Sequence, residues 1–114
     1  MIVYTSGEWH VKAGREAEFR RVWTGFGGQG AGQGDQGPVA VLLRDKDDPL
    51  HFRSFGRWPS ETAAAEWQAS DEFSKWITAL HETLDQMESY NLDVAETVGE
   101  AREVFAGATA EASR

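Results

Sequence analysis

Side chains able to carry chemistry are few in this chain, and a missing residue type narrows the field first. There is no cysteine, which removes disulfides, thiolate zinc sites, iron–sulfur clusters and thiol nucleophiles. Three histidines remain. His81 is the best candidate for a general base, because histidine titrates near neutrality. The competing reading makes it a boundary histidine beside Ile77 and Leu84. His10 and His51 read as exposed strand residues; with Asp45, Asp47 and Asp48 they lack the spacing of a known metal loop, so no metal is expected. Two glycine runs, Gly25-Phe-Gly27-Gly-Gln-Gly30 and Gly32-Gln-Gly34-Asp-Gln-Gly37, satisfy G-x-G-x-x-G. Both follow a helical pattern and precede a strand, the reverse of the dinucleotide fingerprint, and no Lys-Ser or Lys-Thr follows as in a phosphate loop. The stretch 25–37 reads as a flexible connector, whose functional version would be a lid.

Composition bounds the partners. With 11 basic against 19 acidic residues the formal charge is −8, and without a basic stripe the chain should be repelled by nucleic acid and anionic lipid. No segment reaches the ~20 apolar residues of a membrane span, and MIVYTSGEWHV has no signal-peptide pattern, so a cytoplasmic protein is the expectation. At 114 residues this is one domain, roughly the modal size. Hydrophobic residues make up 40%, with five tryptophans, enough for a core.

The elements that must position these groups follow from periodicity. Ile2 to Val11 alternates as a strand, with Val3, Thr5, Gly7, Trp9 and Val11 on one face and Ile2, Tyr4, Ser6, Glu8 and His10 on the other. From Arg15, the stripe Phe19, Val22, Trp23 and Phe26 predicts a first helix. The glycine run cannot be regular structure, at ~1 kcal/mol per helical glycine. Val39 to Leu43 is a short strand, Asp45 to Pro49 a turn, and HFRSFGRW from His51 a third strand, so strands two and three form a hairpin. Ser60, after Pro59, caps a long second helix through ETAAAEWQASDEFSKWITALHETLDQ; Ser70-Asp71-Glu72 is a second cap that breaks it near Ala69. Its second piece carries the stripe Phe73, Trp76, Ile77, Leu80 and Leu84. Met87 to Val98 is the last strand. Residues 1–98 form the domain, and 99–114 a tail or short helix. No internal repeat is evident.

Two strand–helix–strand halves predict a ferredoxin-like βαββαβ α+β fold with a four-stranded antiparallel sheet. Two helices cover one face. Yet Met87, Ser89, Asn91 and Asp93 alternate with Tyr90, Leu92 and Val94, and Phe52 and Trp58 with Phe55, so both faces carry apolar groups. A homodimer joined sheet to sheet is the expected cover.

SGEWHVKAGREAEFRRVW resembles the N-terminal strand and helix of the antibiotic biosynthesis monooxygenase family, and VAVLLRDKDDPLHFRSFGRWPSETAAAEWQASDEFSKW resembles its hairpin and second helix. The likeness spans about Ile2 to Val98. It implies a dimeric α/β barrel and a small monooxygenase that uses no cofactor, acting on a hydrophobic aromatic or polyketide-like compound. Its haem-degrading branch places an asparagine on the first strand, a tryptophan early in helix two and a haem-ligating histidine three turns later. Trp67 matches the tryptophan, but Gly7 and Ile77 occupy the other two positions, which disfavours haem degradation. For cofactor-free oxygenation Trp67 and Trp9 would supply aromatic walls and His81 the base. Tyr90 or Asn91 would donate a hydrogen bond, depending on which parity faces the cleft. The rival is a non-catalytic small-ligand-binding or structural dimer of the same fold.

Overall fold

A computed structural model describes residues 2–29 and 39–99. The elements run β1 (Val3–Val11), α1 (Glu16–Gln29), β2 (Val39–Arg44), β3 (His51–Trp58), α2 (Glu61–Gln68), α3 (Asp71–His81) and β4 (Leu84–Asp93). The sheet is antiparallel, with order β2-β3-β1-β4. This is the ferredoxin-like α+β fold expected from the sequence.

Local chemistry fixes the connections. Asp45 Oδ1 accepts from Asp47 N at 2.8 Å and Asp48 Oδ1 from Leu50 N at 3.1 Å. These side-chain turns reverse the chain between β2 and β3. Ser60 Oγ caps α2 by accepting from Ala63 N at 3.0 Å, and Ser70 Oγ caps α3 by accepting from Phe73 N at 3.1 Å. The break expected near Ala69 is therefore real. Ser70 also donates its hydroxyl to Trp67 O at 2.6 Å, closing the end of one helix while opening the next. Just before α1, Arg15 Nε donates to Glu18 Oε1 at 2.7 Å, and this hydrogen bond holds the Glu18 carboxyl below its ordinary value. A depressed carboxyl stabilises the fold above its unfolded value and loses that effect as pH falls; between exposed groups the effect is small.

Three expectations are corrected. The glycine stretch does not end α1 at Gly25: the helix backbone runs through Gln29. An established helix adds a hydrogen bond with each residue, which offsets glycine's cost near its end. The rest of the glycine stretch, like the tail after Gly99, lies outside the described residues. The second helix stops at His81, where Thr83 N and Thr83 Oγ1 both donate to Leu80 O, at 2.8 and 2.7 Å. Leu84 is thus not helical; it begins β4 opposite Val11, and the strand ends at Asp93 rather than Val98.

The core lies between the helices and the β1 face that carries Trp9 and Val11. Trp9, Val11, Phe19, Phe52, Leu80 and Leu84 are buried together, with ring centroids 5.8 Å apart for Trp9–Phe19 and 5.1 Å for Phe19–Phe52. Trp76 Nε1 donates to Val22 O at 3.0 Å, tying α3 to α1. A smaller cluster of Trp58 and Ala64 holds α2. Because Ser70 serves both helices, Ser70→Ala is expected to cost about 1 kcal/mol, read as a lower midpoint in chemical denaturation with an unchanged slope.

Candidate active site

The sheet residues between the two core clusters are small, and that leaves a hollow under the helices. Register aligns Thr5 with Gly56 and Asn91, and Gly7 with Ser54 and Ser89. These six form the floor of a cavity of about 330 Å3. Trp9 and Trp58 stand at its ends, Trp67 comes from α2, Phe73, Trp76 and Ile77 from α3, and Trp23 from α1. Every tryptophan of the chain borders it. Gln68, last in α2, and His81, last in α3, also line it.

Two tryptophans repeat one device. Thr5-Ser-Gly7-Glu-Trp9 on β1 and Ser54-Phe-Gly56-Arg-Trp58 on β3 share the pattern [Ser/Thr]-x-Gly-x-Trp. This short repeat escaped the sequence reading. The antiparallel register sets each hydroxyl residue opposite the other strand's glycine. Trp9 Nε1 donates to Ser54 Oγ at 3.0 Å, and Trp58 Nε1 donates to Thr5 Oγ1 at 3.1 Å. Each indole lies back across the glycine of its own strand. A Cβ on Gly7 would sit 2.8 Å from Trp9 Cζ2, and one on Gly56 would sit 3.2 Å from Trp58 Nε1 and 2.9 Å from Thr5 Oγ1. Glycine is needed there for space, since a methyl would meet the ring.

The pairing also sets the polarity of the floor. Each hydroxyl accepts an indole N–H, so its own proton remains for another acceptor. Among the described residues neither Thr5 nor Ser54 donates that proton to the protein. A hydroxyl already accepting a bond is a stronger donor, because linked hydrogen bonds polarise one another.

The expected site residues divide. Trp9, Trp67 and His81 border the cavity. Trp9 is buried, while Trp67 is half-buried and touches Trp58, Phe73 and Trp76 with centroids 6.5, 5.8 and 6.3 Å away. His81 is exposed, and among the described residues nothing hydrogen-bonds its ring. β4 alternation separates the last two: Asn91, opposite Thr5, shares the floor, whereas Tyr90, opposite Ser6, touches the cavity's edge from a register position on the sheet's other face. Thr5 and Ser54 were missed because their role appears only across strands. A second hollow, of about 410 Å3 between α2 and the β1–β4 edge, shares Gln68 and Asn91 with the first.

The family model of the antibiotic biosynthesis monooxygenases matches residues 2–79. No curated protein matches the chain. Among solved structures, a variant of SnoaB, a cofactor-independent oxygenase from Streptomyces nogalater, superposes with TM-score 0.77 at 24% identity, covering 87% of this chain and 98% of that one. An antibiotic-biosynthesis-monooxygenase-type protein from Deinococcus radiodurans gives 0.74 at 18% identity over 86% and 97%. One from Caulobacter crescentus gives 0.73 at 20% over 83% and 91%.

Gly7→Ala tests the indole packing. The added methyl must displace Trp9, an overpacking cost of about 1–3 kcal/mol, read as a lowered Tm with a changed near-ultraviolet circular dichroism. The family model over residues 2–79 and the shared topology agree: the chain belongs to the antibiotic biosynthesis monooxygenase family.

Proposed function

We propose that this protein is a cofactor-independent monooxygenase acting on a flat, hydrophobic aromatic or polyketide-like phenol. The observation that supports this most is the cavity of about 330 Å3 walled by all five tryptophans over a floor with two hydroxyls that donate to no acceptor among the described residues. Aromatic walls hold a ring system by stacking and keep water away. The floor then binds what the walls cannot, a phenol oxygen.

Chemistry follows from an electron-rich substrate. A base takes the phenolic proton, and His81 at the cavity border is assigned that role. Thr5, Ser54 and Asn91 hold the resulting oxyanion through hydrogen bonds that strengthen as charge develops. The phenolate passes one electron to dioxygen, the radical pair combines at the ring C–H carbon para to the oxygen, and the proton held by His81 completes the hydroperoxide. Loss of water from that hydroperoxide leaves a carbonyl. The para C–H and the phenolic O–H supply the two hydrogens of one H2O, and one O2 supplies its oxygen and that of the new C=O, with all electrons supplied by the substrate. Haem degradation is not proposed: Ile77 at the cavity wall offers no ligand, and position 7 has no room for an amide beside Trp9.

The assembly belongs to the same reading. The sheet face away from the helices carries Val39, Leu43, Tyr90 and Leu92, which are 44, 48, 45 and 41% exposed. Apolar groups grouped on one face are what a partner covers, and a second copy of this sheet is the proposed partner.

Oxygen uptake with a tricyclic phenol, in chelator and without added flavin or metal, tests the reaction. Wild type should consume one O2 per carbonyl formed, and His81→Ala should lower the rate about 10²–10⁴-fold. Saturable binding of the phenol without uptake would instead establish a ligand-binding module. Sedimentation should find a particle of twice 12.6 kDa at micromolar concentration, which Leu92→Asp converts to monomer.

A further inference from the structure

The open sheet face, opposite the tryptophan cavity, holds a second constellation. His10 and His51 are directly opposed across β1 and β3, and their rings stack with centroids 4.4 Å apart at 18°. Glu8 lies two residues before His10, so alternation places it on the same face. His51 Nε2 stands 3.1 Å from Glu8 Oε1. One ligand-type atom from each of Glu8, His10 and His51 falls within 4.8 Å of the other two.

We propose that Glu8, His10 and His51 form a binding site for a first-row divalent transition ion of the zinc type, with Asp45 orienting His51. Two imidazoles and one carboxylate are a ligand set that such ions take, leaving a position for water. The span is right. Ligand atoms about 2.1 Å from a common ion lie at most about 4.2 Å apart, so side-chain rotations that move atoms by under about an ångström close the set. Both histidines sit on paired strands, so the backbone needs no rearrangement.

The surroundings of His51 point the same way. Its Nδ1 stands 3.9 Å from Asp45 Oδ2, while Asp45 Oδ1 is fixed by the amide of Asp47 at 2.8 Å. A neutral imidazole carries one proton. His51 Nε2 hydrogen-bonds Glu8 Oε1 at 3.1 Å; a cation that takes the place of the shared proton leaves the ring's remaining proton on Nδ1, facing Asp45. A carboxylate behind a ligating histidine is the usual outer-shell support for a metal. In the single chain the His51 side chain is 14% exposed and that of Glu8 34%; the site sits at the His10–His51 end of the face, while Tyr90 and Leu92 of the proposed interface lie opposite Ser6 and Tyr4, toward the other end. The adjoining turn, with Asp45, Asp47 and Asp48, adds negative potential that attracts a cation.

Titration of the full chain with Co2+ and Zn2+ tests this, following Co2+ by its visible absorption and Zn2+ by calorimetry. One ion per chain is expected with a Kd of about 10 μM or below, and millimolar Mg2+ should not compete, because oxygen-preferring ions disfavour imidazole. His10→Gln, His51→Gln and Glu8→Gln should each weaken binding at least about tenfold. Asp45→Asn should weaken it by about 10–100-fold as an outer-shell change, and His81→Ala should leave it intact. Far-ultraviolet circular dichroism confirms folding of each variant, and the wild-type Tm should rise with saturating Zn2+. Absence of saturable binding below about 1 mM would overturn the proposal, as would equal affinity in the three ligand variants.

Discussion

Two indole N–H groups and two hydroxyls hold the centre of this sheet. Trp9 reaches across to Ser54 and Trp58 reaches back to Thr5, an exchange that local two-fold symmetry makes reciprocal. A buried indole N–H without an acceptor costs about 1–3 kcal/mol, so each strand depends on the other's hydroxyl. The same exchange empties the middle of the sheet. Each indole lies back over the glycine of its own strand, inward from its own end, and the floor stays small and polar. Without the glycines a methyl would meet each ring.

The helices complete what the strands begin. Ser70 breaks the second helical segment so that α2 and α3 approach the sheet separately, and the ring chain Trp58–Trp67–Trp76–Trp9 runs through both helices and back to the sheet. Pinning Trp76 to the Val22 carbonyl fixes α1 against α3. The two faces of one four-stranded sheet are thereby given different chemistry: aromatic shelter on the helix side, and on the other an apolar patch beside a cluster of histidine and carboxylate. Period-two alternation underlies that separation, since successive side chains point to opposite faces.

Much of this was legible from sequence, and the failures share a cause. Hydroxyl caps at Ser60 and Ser70, the Asp-rich hairpin turn and the alternation of β1 are local signals, and the structure bears each of them out. Tyr90 and Asn91 could not be separated, because parity says which residues share a face and only register says which face meets the helices. Leu84 kept the helical spacing of Leu80 and Ile77 but belongs to β4; it stays buried in either role, so its hydrophobicity could not decide. The five-residue echo ending in Trp9 and Trp58 was present in the letters. Its meaning rests on pairs separated by 45 and 53 positions. Glu8, His10 and His51 follow the same rule, since no linear ligand spacing exists across two strands.

Clustering all the indoles around one chamber gives the molecule an optical property. Neighbouring rings about 6 Å apart exchange excitation far faster than they emit, so light absorbed by one is shared among several. A conjugated guest resting on any wall would drain the whole set. The same packing that shelters a reactive compound thus makes the protein's own ultraviolet emission a gauge of whether the chamber is filled.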